Sequence, residues 1–419
     1  MKTIREVDRS IPVSHSAQVI VAGGGPAGVM AAIAAARKGA DTLLVERSNC
    51  AGGVWTSGYL SWMLDVTNKN GILRELMERL EKKGEGSFAR EGNFIAFPEA
   101  VKLELDDMLE EAGVRLLYYT QVAGAVCKDR LLTHVILESK AGRHAAEAQV
   151  FVDATGDGDL SAFAGCTYQI GRDKDGTTQP GSLIGLMVGV RADEVREYNN
   201  TLPYLPGKNA KERLKSEMAR AGVVPSYSAP SFFHIAEDIW LVMTTHGYGT
   251  DALDPTSLSQ KTIEGRREMH LQQEALRSLG GPWKKLRIVA TAPYIGIREC
   301  RRIAGRYTVT VQDALEGRRH EDAVCRVTFG LDVHPLQANR SFHDETGTLQ
   351  TKPFDIPLRA LEAADVDNLL LAGRLISGDF LAHSSYRVTG DAAAVGEAAG
   401  NEAARRVLEP QNGQDTQNG

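Results

Sequence analysis

The sequence predicts an α/β fold: a mostly parallel sheet with covering helices, assembled from both ends of the chain, with a mixed α+β segment inserted between them. Two patterns carry that prediction. A strand–glycine turn–helix–strand run opens the chain, and a strand–glycine–helix run closes it. Composition is the third observation: 42% hydrophobic and 24% charged residues rule out a fibrous or wholly disordered chain.

Residues 18–22 form a short apolar run, followed by glycine-rich punctuation and an alanine-rich segment reaching Lys38; 41–46 (DTLLVE) is a second buried-strand pattern. That succession is the opening of a βαβ unit. Helices are expected at about 70–83 and 98–112, the second opening with proline and closing with glycine. From 114 to 152 the chain reads as strands, with a glycine turn at 142. The middle, roughly 165–365, mixes strand-like runs (SLIGLMVGV, FFHIAEDIWLVMTT) with a long polar helix at about 256–279 and shows no repeat. At the end, 368–373 (NLLLAG) is an apolar strand and 388–406 an alanine-rich helix. The expected domains are 16–165 with 365–408, a discontinuous nucleotide-binding unit, and 166–364, a mixed α+β substrate domain. The polar tail 409–419 has nothing to bury and is expected to be disordered.

The chain has 419 residues, long enough for two domains. Its net charge of −6 gives no electrostatic case for nucleic-acid binding. Five cysteines (Cys50, Cys127, Cys166, Cys300, Cys325) are odd in number and never form a C-x-x-C pair. They supply neither a disulfide framework nor a metal ligand set, so a reducing cytoplasm is expected and no metal. Residues 19–36 carry no charge and follow Lys2, Arg5 and Arg9, but their glycines and proline would break a signal-peptide helix. A strand–turn–helix is the expected reading, with no membrane span.

Gly23-Gly24-Gly25-Pro26-Ala27-Gly28 satisfies G-x-G-x-x-G, a weak pattern alone. Its context strengthens it: the glycines leave a strand and open a helix, and Glu46 ends the next strand about 20 residues on, where a ribose-binding acid belongs. Gly23 permits the tight turn, Gly25 lets a pyrophosphate approach the backbone, and Gly28 lets the helix press on the sheet. Free N–H groups and the dipole at the helix start attract phosphate. A carboxylate at Glu46 would repel a 2′-phosphate, so a Rossmann-like domain binding FAD or NAD, rather than NADP, is expected. Three features favour FAD. No second G-x-G-x-x-G occurs; Gly52-Gly53 follows Glu46-Arg47 along the path of a long cofactor; and Asp153-Ala154-Thr155-Gly156 and Ala372-Gly373-Arg374 each end a buried strand.

These motifs, with IGIRECRRIAGRY at 295–307, LDVH at 331–334, FDIPLRAL at 354–361 and HSSYRVTGDAAAVGEAAG at 383–400, run nearly end to end. Through them the chain resembles the FAD-dependent oxidoreductases of the glutathione-reductase-type superfamily, most closely the branch related to fumarate-reductase flavoproteins. The resemblance implies that the backbone of Val122 contacts adenine and that Ala154, Thr155 and Gly156 line the adenosine side. It implies a second FAD segment at Gly373, Arg374 and Asp379, although Asp379 lies six residues past Gly373 where many relatives have Gly-Asp directly. The last helix, opening at Val388-Thr389-Gly390-Asp391, would aim its positive end at the flavin N1/O2 edge. Asp391 itself reads more simply as a first-turn acid.

A flavin dehydrogenase needs a substrate C–H near N5, a proton acceptor and usually a cation to fix the substrate. His383 and Arg387 flank Ser384-Ser385-Tyr386 just before the last helix; the plainer readings are a loop histidine and a structural ion pair. Arg298, in Arg298-Glu299-Cys300-Arg301-Arg302, could hold a carboxylate bidentately, or belong to a solvated charge run. Strand alternation would put Arg298 opposite Arg301. His334 of LDVH is a second candidate base. Trp55 and Tyr59 lie near the cofactor path but read as packing, and a reactive thiol at Cys300 is unsupported. Calcium is rejected because the twelfth position of a loop counted from Asp153 as the first is Ala164, and zincin, α/β-hydrolase and P-loop motifs do not occur.

The expected activity is FAD-dependent hydride transfer from a small organic substrate whose reacting carbon bears a hydroxyl or amine. Arg387 or Arg298 would orient it and His383 or His334 would act as base. Reduction of an activated C=C bond shares every motif, and an NAD-binding dehydrogenase or an idle nucleotide-binding module is the non-flavin alternative. The motifs name no electron acceptor and are compatible with a homo-oligomer.

Overall fold

The computed structural model describes residues 3–4, 10–203, 209–338, 340 and 346–409. Residues 410–419 of the tail expected to be disordered lie outside that set. The main sheet has five parallel strands with Val19–Ala22 at its centre. Thr42–Val45 and then Arg115–Leu117 lie on one side, and Val150–Asp153 and then Leu369–Leu371 on the other. Every residue of Val19–Ala22, Thr42–Val45 and Val150–Asp153 is buried, which is why these strands read as unbroken apolar runs rather than alternating ones.

The helix Pro26–Arg37 runs from the first strand, and the helix Thr389–Leu408 packs along it. Glycine makes that contact possible. A Cβ at Gly396 would stand 2.1 Å from the Ala27 carbonyl oxygen, and one at Gly400 would stand 2.1 Å from that of Ala31. On the chain's other flank, Gln121–Lys128, Leu131–Ser139 and Gly142–Glu147 form an antiparallel meander, extended by Val13–Ser16 in parallel with the last of them.

The middle of the chain builds a separate antiparallel sheet in the order Ser231–Ala236, Ile239–Met243, Gly185–Val188, Arg287–Thr291. Helix Pro255–Ser278 is fixed at its start by Asp254, whose carboxylate accepts from Thr256 N and Ser257 N at 2.9 and 3.1 Å. A second apolar core gathers Leu183, Met187, Phe232, Trp240, Met269 and Trp283. Trp62 and Ile95 join the two halves by packing on Ile184, Leu186, Phe233 and Leu241. Ile303, Val309, Val327, Phe354 and Ile356 return to the first core.

Four helices depart from the sequence expectation: Asp159–Phe163, Ala210–Arg220, Val311–Glu316 and Phe380–Tyr386. Three of them are too short for an apolar period to register. The fourth, Ala210–Arg220, is signalled by the Asn209-x-x-Glu212 capping box that the structure contains. The strand reasoning for Arg298 also needs correction. Only Arg301–Ile303 is strand, so Arg298 lies in the irregular link before it and no alternation governs its direction. Among the described residues no helix is long and apolar enough to cross a membrane.

The close helix pair predicts a measurable penalty. Gly400→Val must displace the Ala31 backbone and is expected to cost about 1–3 kcal/mol, read as a lower urea midpoint. An unchanged midpoint would contradict the packing described.

Candidate active site

The glycine turn is shaped by close backbone approach. Gly23 has φ +96° and a Cβ there would stand 2.5 Å from the Ala154 carbonyl oxygen; at Gly28 it would stand 1.8 Å from that of Gly23. Gly25 differs, because among the described residues nothing lies within 4 Å of where its Cβ would be. Gly25 is also the cap of helix Pro26–Arg37, whose first turn carries no acid and receives no side-chain cap. The positive end of that helix therefore faces open space, the arrangement a phosphate needs. Gly53, with φ +51°, lies against it: a Cβ there would be 2.9 Å from Gly25 Cα. Glu46 is buried and its carboxylate accepts from Gly24 N and Ser48 N, each at 2.7 Å, which ties the turn to the next strand. Arg47 extends away, its guanidinium 4.7 Å over the ring of Tyr294.

The neighbouring turn is organised by Asp153, fully buried, which accepts from Thr155 N and Oγ1 at 3.0 and 2.7 Å and from Ser161 N and Oγ at 2.8 and 2.6 Å. Gly156 faces the guanidinium of Arg374, which donates to Asp157 at 2.6 Å. Gly373 has φ +86° and stands against Ala27. Val122 is buried in Gln121–Lys128. Asp379 is engaged by the protein itself. It caps Phe380–Tyr386 by accepting from Ala382 N at 2.7 Å, and it also accepts from Val311 N at 2.6 Å.

The opening of helix Thr389–Leu408 is more elaborate than a dipole effect. Asp391 is fully buried and pairs with Lys69 at 2.9 Å, and Lys69 reaches Asp65 at 3.0 Å. Burial outweighs Lys69 and holds the Asp391 carboxyl well above its ordinary range. So Asp391 is a first-turn acid as expected, and it also belongs to a buried charge cluster.

The second region of interest gathers side chains from six separated places in the chain. Arg387 donates to the Asp332 carbonyl at 2.7 Å and its carboxylate at 3.0 Å, and to Gln179 Oε1 at 3.4 Å. His334 Nε2 lies 3.3 Å from Asp332 Oδ2, and its backbone N–H donates to Gln179 Oε1 at 3.0 Å. His334 Nδ1 is 3.2 Å from His246 Nε2. Tyr227 stacks on His246 with ring centroids 4.2 Å apart. Arg298 donates to the Pro180 carbonyl at 2.6 Å and to Ser182 Oγ at 3.0 Å. A cavity of about 230 Å³ adjoins, lined in part by Ser226, His246, Tyr248, Lys261, Glu264 and Glu268.

Charge in this cluster is unbalanced. Burial, then Arg298, outweigh Asp332 and push the His334 imidazole down to about 3. Burial, then Arg298 and His334, hold His246 well below its ordinary value too. Burial and then Arg387 push the Arg298 guanidinium down to about 10. Burial opposes ionisation of Asp332, but His334, Arg387 and Arg298 hold its carboxyl well below the usual range. At neutral pH, then, two guanidiniums and one carboxylate surround two neutral imidazoles, an excess of one positive charge. Among the described residues the buried atoms Gln179 Nε2, Arg387 Nε and His246 Nδ1 have no hydrogen-bond partner. Buried polar atoms seldom stay unpaired, so a water or a small molecule could complete the network here.

A family profile described as FAD dependent oxidoreductase matches residues 18–415. The chain belongs to that family. This FAD-dependent oxidoreductase is also similar to solved structures at low identity. BexE, studied for oxidation during BE-7585A biosynthesis, superposes with a TM-score of 0.51 at 12% identity, over 93% of this chain and 62% of its own. L-proline dehydrogenase from P. horikoshii gives a TM-score of 0.44 at 13% identity over 93% of each chain. A geranylgeranyl bacteriochlorophyll reductase-like protein from Thermoplasma acidophilum gives 0.46 at 12% identity, over 94% and 78%. The family removes the NAD-only and idle-module readings. The open Gly25 face and the uncapped helix start fit the pyrophosphate of FAD.

Of the four expected catalytic residues in this FAD-dependent oxidoreductase, Arg298, Arg387 and His334 come together. His383 is fully buried in Phe380–Tyr386 rather than on a loop, and among the described residues neither ring nitrogen is hydrogen-bonded. Arg387 does not oppose a helix dipole as its position before the last helix suggested; it caps the C-terminus of Phe380–Tyr386, where a cation is favoured. Arg301 serves elsewhere, donating to Asp157 O and Asp159 at 2.9 Å each, and Arg302 pairs with buried Glu299. Cys300 is buried and burial pushes its thiol up to about 12, which agrees with an unreactive sulfur. Trp55 is fully buried packing. His246, Tyr227, Gln179 and Asp332 escaped the sequence reading. Only Asp332 lay in a quoted motif; the others are brought in by contacts far apart in the chain.

Two outcomes follow. Glu46→Ala leaves Gly24 N and Ser48 N without an acceptor and is expected to weaken FAD binding at least about tenfold, roughly 1.4 kcal/mol, by flavin-fluorescence titration; an unchanged Kd would remove Glu46 from the cofactor site. Burial, then Arg302, Arg387 and Arg374, hold His383 well below the roughly 6.5 of an unfolded chain. The unfolded state therefore binds the proton first on acidification, and stability present above about pH 6.5 is lost below it by up to roughly 1.4 kcal/mol per pH unit. His383→Leu removes that share of the slope, and comparison with wild type cancels the buried carboxylates, which act in the opposite sense. Equal slopes from urea unfolding at pH 7 to 5 would contradict a neutral His383.

Proposed function

We propose that this FAD-dependent oxidoreductase oxidises a small substrate at a carbon bearing a hydroxyl or amine and carrying a nearby carboxylate. The reading rests on one observation: the cluster of Arg298, Arg387, His334 and His246 with an excess positive charge and unpaired donors and an unpaired acceptor. Gln179 Nε2 and Arg387 Nε need acceptors, and His246 Nδ1 needs a donor. A 2-hydroxy or 2-amino acid offers both kinds of group in one molecule.

FAD, when bound, supplies the two-electron acceptor for the C–H electron pair. Gly23, Gly25, Pro26, Ala27, Gly28, Glu46, Gly52 and Gly53 would hold its pyrophosphate and ribose, with Val122, Ala154, Thr155, Gly156, Gly373, Arg374 and Val388 along its length. Arg298 and Arg387 fix the substrate anion, since a guanidinium matches a carboxylate in plane and donor spacing. The uncharged histidine pair takes the proton, because a neutral imidazole has a lone pair free to accept one. Tyr227 and the buried walls exclude water and keep the arginine charges effective.

The opposite direction, reduction of an activated C=C bond, draws support from Arg298: burial and the Arg387 charge lower its guanidinium to about 10, which favours proton release. Five unpaired cysteines agree with a reducing cytoplasm.

Anaerobic mixing of the holoenzyme with a panel of 2-hydroxy acids, 2-amino acids and matching uncharged alcohols separates these readings. Bleaching of the flavin band by a carboxylate-bearing compound alone is expected. Arg298→Ala and Arg387→Ala are each expected to keep FAD and lose about 10- to 100-fold in kcat/KM with that compound. Full turnover in both variants, or bleaching by the uncharged alcohols equally, would overturn the anchoring role.

A further inference from the structure

We infer that Asp332, His334 and His246 form a directed proton relay whose outer end, His246 Nδ1, takes the proton from the substrate. This rests on the oxidative reading above and names the atom that accepts the proton.

The direction follows from hydrogen-bond logic. Asp332 is paired with Arg387 at 3.0 Å and is a carboxylate, which accepts only, so the His334 nitrogen 3.3 Å away must carry a hydrogen. Two imidazoles in contact beside two guanidiniums cannot both be charged, and burial keeps both neutral. A neutral His334 protonated at Nε2 has a bare Nδ1, which accepts from His246 Nε2 at 3.2 Å. His246 must then hold its only hydrogen on Nε2, and its Nδ1 is left as a bare lone pair. That atom is buried, and among the described residues it has no partner. The ring borders the cavity of about 230 Å³, so it adjoins a space of small-molecule size.

The backbone holds the ring in place. His246 N donates to Ser226 Oγ at 2.7 Å, and Ser226 Oγ donates to Glu268 at 2.7 Å. Tyr227 stacks on one face and Tyr248 meets the ring edge at 5.6 Å. The charged and titratable groups around His246 are thus Arg298, Arg387, Asp332, His334, Tyr227, Tyr248 and Glu268, with Lys261 and Glu264 across the cavity.

The balance closes. The substrate O–H or N–H bond breaks and its proton joins His246 Nδ1. The C–H electron pair leaves as hydride, for which FAD, when bound, would be the two-electron acceptor, and a C=O or C=N bond forms. The His246 Nε2 proton then passes to His334 Nδ1, and the His334 imidazolium so formed donates to the Asp332 carboxylate, which stays ionised. The transferred positive charge thus comes to rest beside the Asp332 carboxylate, which is the physical use of the relay. A carboxylate bound to Arg298 and Arg387 compensates their charge and raises the basicity of the pair at the moment it is needed.

The test uses holoenzyme carrying ¹⁵N-labelled histidine. At neutral pH the ring-nitrogen signals of His246 and His334, assigned by their disappearance in His246→Asn and His334→Gln, should each show a bare Nδ1 and a protonated Nε2. A protonated Nδ1 at His246, or a doubly protonated ring at either position, overturns the relay. Neutron diffraction of the wild-type enzyme reads the same hydrogens if either variant fails to fold. With a panel compound that bleaches the flavin, His246→Asn should slow bleaching at least about a hundredfold while dithionite still reduces the bound FAD. His334→Gln, which keeps the hydrogen-bond order but cannot pass a proton, should slow it about tenfold and change its pH profile. Unaltered bleaching in His246→Asn overturns the assignment. If no panel compound bleaches even the wild type, the oxidative reading fails, and the nitrogen signals alone decide the relay's direction.

Discussion

The close contact between helices Pro26–Arg37 and Thr389–Leu408 is the constraint on which the rest depends. Gly396 and Gly400 let one helix lie against the backbone of the other at Ala27 and Ala31. Two segments from opposite ends of the chain are thereby held together over one sheet. The open Gly25 turn and the start of the last helix are thereby brought over the same sheet. The buried Lys69–Asp391 pair fixes the second helix start from below, at a desolvation cost that only such a constrained position tolerates.

Asp332 plays the corresponding role in the arginine–histidine cluster. One carboxylate orients Arg387 and His334, and through His334 the ring of His246. Without it two guanidiniums would face two imidazoles with no counter-charge. With it the cluster keeps a single net positive charge and neutral histidines, which suits an anionic substrate and a proton-accepting role together. Proximity of that cluster to the last helix is secured by Arg387, which ends one helix one residue before the cap of the next.

Much of the nucleotide-binding half was legible because its signals are local. The glycine turn, Glu46 at the following strand end and the buried apolar strands each declare themselves within a few residues, and the family match over 18–415 agrees. The candidate site was legible in part. Arg298, Arg387 and His334 lie in motifs, and the structure gathers them. His246, Tyr227 and Gln179 have no local signature; they reach the cluster only because an antiparallel sheet from the middle of the chain folds over the first core. His383 differs for the opposite reason: it lies in a quoted motif, but a helix too short to show a period turns its ring into the core. Asp379 was drawn off in the same way, to cap that helix.

The proposed function requires that the arginine–histidine cluster and the bound flavin share one site. Titrating acetate into the holoenzyme while recording the visible flavin spectrum tests it most directly. A saturable spectral shift in the wild type that is absent in Arg298→Ala is the predicted result. A fully flavin-loaded enzyme whose spectrum ignores acetate, or shifts equally in the variant, would contradict it.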